Sequence, residues 1–227
     1  MRRVMFAFAL LGCLLAVSSG QAAILQQVDD FQSDVTTLGW GGFKEFLTGP
    51  PARWGGGQFG FGDFYLAQST FGYHMATRNS GQWSGDYLTA GIRTIELDAN
   101  HITGSEPVAL RIGLVGPGGF FSSIDPTPID PGLWNHYVFG LTGSDLVHVD
   151  GGTGNLADTL SAVEKLMLRH DPAITPTGRG AHPEHITGTV GFDNITATPE
   201  PATLSLLALG GLTLLRQKRR RGRRSAA

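Results

Sequence analysis

Glycine supplies 28 of the 175 residues between positions 24 and 198, about twice the usual share, and it is spread among short apolar runs. A chain that turns this often makes few helices and many short strands. Several runs alternate with the two-residue period of a half-buried strand. Val108, Leu110, Ile112 and Leu114 point one way and Arg111 the other; Tyr137, Phe139 and Leu141 share a side, and so do Leu166 and Leu168. Residues 191–197 read as a closing strand. Weaker strand patterns fall at 24–28, 64–68, 72–78, 87–89, 93–98 and 146–149. Gly116-Pro117-Gly118-Gly119 and Asp125-Pro126 are turn punctuation, and only residues 158–164 invite a helix, with Asp158 as its N-cap. About eight to ten strands separated by turns predict an all-β fold, an antiparallel β-sandwich.

The ends of the chain read differently. Arg2 and Arg3 precede an uncharged run at 4–17, and small residues at 18–23 follow it. This is the layout of a secretory signal peptide, assigned to residues 1–23. At the other end, Pro199-Glu200-Pro201 precedes an uncharged run at 202–215, and seven Lys or Arg fill residues 216–224. Proline disfavours helix in itself and in the residue before it, so the motif is extended. The apolar run would span about 21 Å as a helix, against a hydrocarbon core of roughly 30 Å that local thinning and snorkelling can approach. The basic cluster places the extreme end on the cytoplasmic side. A plain membrane anchor with a basic end is the competing reading, and it would keep the tail.

Residues 199–227, with their Pro-Glu-Pro motif, short membrane segment and terminal arginine cluster, closely resemble the PEP-CTERM sorting signal. The resemblance implies recognition and removal of this segment by an exosortase, inner-membrane transit through the C-terminal helix, and export to the surface of a Gram-negative cell that makes extracellular polysaccharide. The basic tail does not signal nucleic acid. Residues 24–198 carry 8 Lys and Arg against 18 Asp and Glu, and a net of −10 repels phosphates. Cys13, the only cysteine, lies in the signal segment, so the domain holds itself together by packing, without disulfides.

Val28-Asp29-Asp30-Phe31, Thr94-Ile95-Glu96-Leu97-Asp98 and Val190-Gly191-Phe192-Asp193-Asn194-Ile195 are similar to segments of jelly-roll domains of carbohydrate-binding modules and galactose-binding-like proteins. That resemblance implies a jelly-roll-like sandwich at 24–198, flanked by the N-terminal signal helix and the C-terminal short transmembrane helix. It also implies a structural Ca²⁺ where the first and last strands meet, with Asp29 or Asp30 and Asp193 as ligands; hard cations take several oxygens of this kind. The alternative is that these acids cap strands and face solvent.

The stretch from Trp40 through Trp54 to Tyr65 combines glycine with aromatic rings. Trp40, Trp54 and Tyr65 are candidates for stacking on sugar faces. The competing account has Trp40, Phe43, Phe46, Phe59 and Phe61 plugging the ends of the sandwich, and Trp134, inside a strand pattern, is assigned to the core. No nucleophile elbow, His-Glu-x-x-His or Walker loop is present, and His182 and His185 flank Pro183 in what reads as an exposed loop. The sequence therefore predicts a secreted, non-catalytic sandwich at the cell surface or in the extracellular matrix, where extracellular polysaccharide is its expected partner. A self-associating structural protein and a polysaccharide hydrolase or lyase are the alternatives.

Overall fold

A computed structural model describes residues 27–33, 37–42, 50–179, 181 and 184–199. The two expected terminal helices, Glu200, Pro201, Phe43, Phe46 and His182 lie outside these residues. Among the described residues no helix is long and apolar enough to cross a membrane.

Two antiparallel sheets form a sandwich. In the first, β10 (Asn135–Gly140), β6 (Ile92–Gly104), β13 (Ile186–Pro199), β4 (Gly60–Tyr73) and β3 (Ala52–Gly57) lie side by side, with β1 (Val28–Asp29) added to β13. In the second, the order is β11 (Leu146–Asp150), β8 (Gly119–Ser123), β7 (Val108–Gly116), β12 (Lys165–His170), β5 (Ala76–Asn79) and β2 (Trp40–Gly42), with β9 (Thr127–Ile129) added to β7. Side chains alternate across each strand, so the predicted apolar sets meet between the sheets. Ile95, Leu97, Leu66 and Phe192 of the first pack with Leu110, Ile112, Leu114, Leu166 and Leu168 of the second, all fully buried. Each such side chain contributes about 1.5–3 kcal/mol of transfer free energy.

Three local expectations are corrected. Residues 87–89 are helical: α1 (Tyr87–Ala90) begins where the Asp86 carboxylate accepts the Thr89 N–H at 2.9 Å, and it ends at Gly91 with φ 71°. This short segment shows period two by coincidence, and the cap decides it. The second helix, α2 (Leu156–Ser161), is capped by Asn155 rather than Asp158, which sits in its first turn and accepts the Thr153 hydroxyl. The expected strand at 72–78 breaks at His74 and Met75, where the chain leaves the first sheet and enters the second.

One buried charge ties the entry of the chain into this sandwich. Asp29 accepts the indole N–H groups of Trp40 and Trp83, both at 2.7 Å on Oδ2, and the Gln82 amide at 2.6 Å on Oδ1. Burial pushes its pKa up, and these donors oppose the rise. The three partners come from β2 and the loop after β5, so a single carboxylate joins β1 to the second sheet. Asp29→Ala leaves two buried indole donors unsatisfied and is expected to destabilise the domain by about 2–5 kcal/mol, read as a fall in the chemical-denaturation midpoint.

Candidate functional site

The sandwich has two outer faces, and they differ. On the second sheet the outer face is sealed by the connection after β12. Arg111, fully buried, donates from Nε to the Asp171 carbonyl at 3.0 Å and from Nη1 to the Ser123 carbonyl at 2.5 Å, and also to the Ile124 and Ala173 carbonyls. Arg169 pairs with Asp171 at 3.0 Å and donates to the Thr177 and Gly178 carbonyls. Asp171 in turn accepts the Thr177 N–H and hydroxyl, both at 2.9 Å. Further along, Arg179 reaches Asp150 on β11 at 2.8 Å. Residues 171–179 are thus tied to β7, β12 and β11, on the sheet that also carries a small apolar cluster of Val115, Phe120 and Met167 separate from the main core. Arg111 and Arg169 are stripped of water, which lowers their pKa, and the Asp171 charge opposes that shift.

The outer face of the first sheet is open and carries a row of aromatic rings. Trp54 stands opposite Tyr65 in the β3–β4 register, with ring centroids 6.5 Å apart, and Tyr65 meets Trp134 edge to face at 5.2 Å. The two inner rings lie over Gly191 of β13: a β-carbon there would come within 2.8 Å of Trp134 and 2.9 Å of Tyr65. Glycine is what lets the rings settle on the sheet. Trp54 is 42% exposed at one end of the row, while Tyr65 is covered by its neighbours. Beside the row, Asn100 is paired with Gly191, and its Oδ1 is buried without a partner.

The candidates therefore separate. Trp54 and Tyr65 are brought together, but Tyr65 is as buried as Trp40, which is bonded to Asp29, so of the three expected rings Trp54 alone presents a face to a ligand. Trp134, expected in the core, packs half-buried on the outer face instead. Phe59 and Phe61, expected as plugs, stand exposed at the β3–β4 hairpin. Trp134, Asn100 and Gly191 were not singled out in the sequence as site residues; the tryptophan just before an alternating strand was the available signal.

Acidic groups border the same face. His136 is held by Asp98 at 2.9 Å and Glu96 at 3.3 Å, and the Asn194 amide donates to Asp98 at 2.8 Å. Asp193, two residues from Gly191, accepts the Asn194 N–H on Oδ1 at 2.8 Å, but its Oδ2 is buried without a partner. Burial, with Asp63, Asp98 and Asp30 adding their charge, pushes the Asp193 pKa up to about 7. Asp63 and Asp193 converge at Gly57, where a β-carbon would lie 2.6 Å from one carboxylate and 3.6 Å from the other. The orphaned buried Oδ2 of Asp193 fits a hard cation; Asp63 beside it already accepts the Gln32 amide on Oδ1 at 2.7 Å and the Phe59 N–H on Oδ2 at 2.8 Å, so it could offer a cation only its remaining lone pairs. Asp29 does not fit one, because three N–H donors already point at it. Asp30 uses Oδ1 to accept the Gln32 N–H at 3.1 Å. Among the described residues, no group of three or more His, Cys, Asp or Glu is arranged to hold a metal, so carbonyl oxygens or water would have to complete any such site.

In the cation-free domain the raised Asp193 pKa sets a pH dependence. The proton is held more tightly in the folded state, so the stabilisation is complete below about pH 4 and is lost as pH rises through about 7. Denaturation in chelator is expected to show a decline of roughly 4 kcal/mol over that window, and Asp193→Asn is expected to flatten it.

Comparison with known proteins bears on the fold and the tail. The sandwich is similar to part of an exo-beta-agarase, with 16% identity over 78% of this chain and 25% of that one and a TM-score of 0.55. This chain thus spans about a quarter of that enzyme. It is also similar to a family 11 carbohydrate-binding module from Clostridium thermocellum, solved in complex with a beta-1,3-1,4-mixed-linked tetrasaccharide, with 17% identity over 78% of this chain and 98% of the module and a TM-score of 0.51. The architecture is that of the jelly-roll carbohydrate-binding modules. No curated protein matches the chain in sequence. Residues 197–221 match the PEP-CTERM protein-sorting motif.

Proposed function

We propose that this chain is an exported, non-catalytic protein, delivered to the cell surface or extracellular matrix and binding polysaccharide through the outer face of its first sheet. The observation that carries this reading is Trp54, 42% exposed at the end of the row it forms with Tyr65 and Trp134 on the outer face of the first sheet, flanked by hydrogen-bonding groups, while residues 171–179 are bonded across the opposite face. Aromatic rings bind the apolar faces of sugars and polar neighbours orient the hydroxyls. The fold shared with a module solved on a tetrasaccharide and the PEP-CTERM match support the reading. In it, residues 1–23 are a signal peptide and 24–198 the working domain. Residues 199–227, headed by Pro199, Glu200 and Pro201, are held in the inner membrane until an exosortase removes them. A Ca²⁺ bound by Asp193 and Asp63, with Asp30 nearby, steadies the end of the face.

The domain is expected to be retarded in gels containing the producer's own polysaccharide. Trp54→Ala is expected to weaken that retardation at least about tenfold, the effect of ~1.4 kcal/mol, without changing the melting temperature, because the ring is half in solvent. Unaltered mobility across a broad glycan panel contradicts the reading. For the cation, added Ca²⁺ is expected to raise the melting temperature of the wild-type domain and not of Asp193→Asn; no response to Ca²⁺ or EDTA removes it.

One observation favours a self-associating structural protein instead. Phe59 and Phe61 are 80% and 108% exposed at the hairpin of the edge strand β3, and exposed apolar tips and open edges invite pairing. If that reading holds, sedimentation will show concentration-dependent oligomers that Phe59→Ser/Phe61→Ser disperses, with no glycan affinity in either form.

A further inference from the structure

We infer that Trp134 is a movable cover over a sugar subsite whose hydrogen-bond acceptor is Asn100 Oδ1. This rests on the polysaccharide reading above and adds to it a residue that selects the sugar.

The register places one row of residues across the outer face of the first sheet. Asn100 of β6 pairs with Gly191 of β13, Gly191 with Ala67 of β4, and Ala67 with Ala52 of β3. On the other side of β6 the β10 ladder begins with Asn135 opposite Ala99, so Trp134 is next in line, against Asn100. The outward positions on either side of this row differ in chemistry. Trp54 and Tyr65 form an aromatic bank, and Ser69 and Thr189, with hydroxyl oxygens 2.9 Å apart, form a polar one. Between them glycine and alanine make a trough that opens at the β3 edge, where Ala52 is exposed.

Trp134 fills the inner end of the trough. Its backbone lies on the β10 side of β6, yet the tip of its ring reaches Gly191 on the β13 side. Neighbouring strands are ~4.8 Å apart, so the indole lies across β6 and over Asn100. Leu97 and Ala99 point into the core, so Asn100 points outward; it is nevertheless only 5% exposed. Its Oδ1 is buried without a partner. Such an oxygen costs free energy that folding leaves unrecovered. It can only accept, so what it lacks is a donor, and a sugar hydroxyl is one.

The cover is lightly held. Trp134 rests edge to face on Tyr65 and on the bare backbone of Gly191. Its neighbour Leu133 is 62% exposed. The loop is tethered at Gly132, whose N–H donates to the His101 carbonyl at 2.9 Å and whose φ is 74°. Rotation of the Trp134 side chain lifts the ring from Asn100 and Tyr65 and leaves both strand ladders intact. A sugar entering past Trp54 then donates a hydroxyl to Asn100 Oδ1 and lays its apolar face on Tyr65.

Two substitutions test this in the full chain, held in detergent. Asn100→Leu is close in shape and removes the orphaned oxygen. It is expected to melt above wild type and, by calorimetry, to bind oligosaccharides cut from the producer's own polysaccharide at least about tenfold more weakly. A merely structural Asn100 would lower the melting temperature on substitution and leave the affinity alone. Trp134→Ala removes the cover and is expected to bind the same oligosaccharides severalfold more tightly, because the closed state no longer competes with the ligand. Wild-type affinity in Asn100→Leu, or weaker binding by Trp134→Ala, overturns the covered subsite; if Trp54→Ala still weakens binding, the polysaccharide reading stands without it. A wild-type chain that binds none of these oligosaccharides overturns both.

Discussion

Strand β13 is hydrogen-bonded along both edges, and the rest of the molecule is arranged around that constraint. It lies between β6 and β4 and is joined near its end by β1. Its inner side chains, Val190, Phe192 and Ile195, are core. Its outer side offers Gly191 as the seat for two aromatic rings and Asp193 as an uncompensated carboxylate, and its last residues run into the sorting motif. A central strand cannot slip by one residue without turning its core set outward. The positions of Gly191 and Asp193 are therefore fixed by the packing of Phe192 between them.

The same logic separates the two outer faces. Arg111 and Arg169, on the second sheet, are cationic groups that burial would leave costly if unpaired, and the carbonyls and carboxylate of residues 171–178 satisfy them. That demand holds the strap down, and the strap removes the face from solvent. The first sheet has no strap of this kind, and its cover is the Trp134 ring packed on Tyr65. Its Asp98, Glu96 and Asp193 leave it acidic, in a domain that already carries net negative charge, so the polysaccharide we propose for it would be better matched as a neutral chain than as an anionic one.

Strong alternation made β7, β10, β12 and β13 legible in the sequence, because each has one face in the core. Strands β2, β3, β8 and β9 were not legible: they are rich in glycine, short, or buried on both faces, so period two is weak or absent. The pairing of Trp54 with Tyr65 follows from a hairpin register that glycines leave unmarked. Trp40 lies on the second sheet, packed against Trp83 and bonded to Asp29, while Trp54 lies on the edge strand of the first; neither placement shows in the local sequence. Asp63 joins Asp193 across 130 residues of chain, a meeting that only the β3–β4 hairpin folding against β13 creates. The sorting motif, by contrast, was legible in full because it is read along the chain and not through a fold.

The central claim is that the first sheet's outer face is the one that meets polysaccharide. The direct measurement is amide chemical-shift mapping of the domain titrated with oligosaccharides cut from the producer's own polymer. The account expects the perturbed amides to cluster on β3, β4, β13 and the residues around Trp134, with Trp54 and Tyr65 at the centre. Perturbations confined to β7, β8, β12 and residues 171–179 would contradict it.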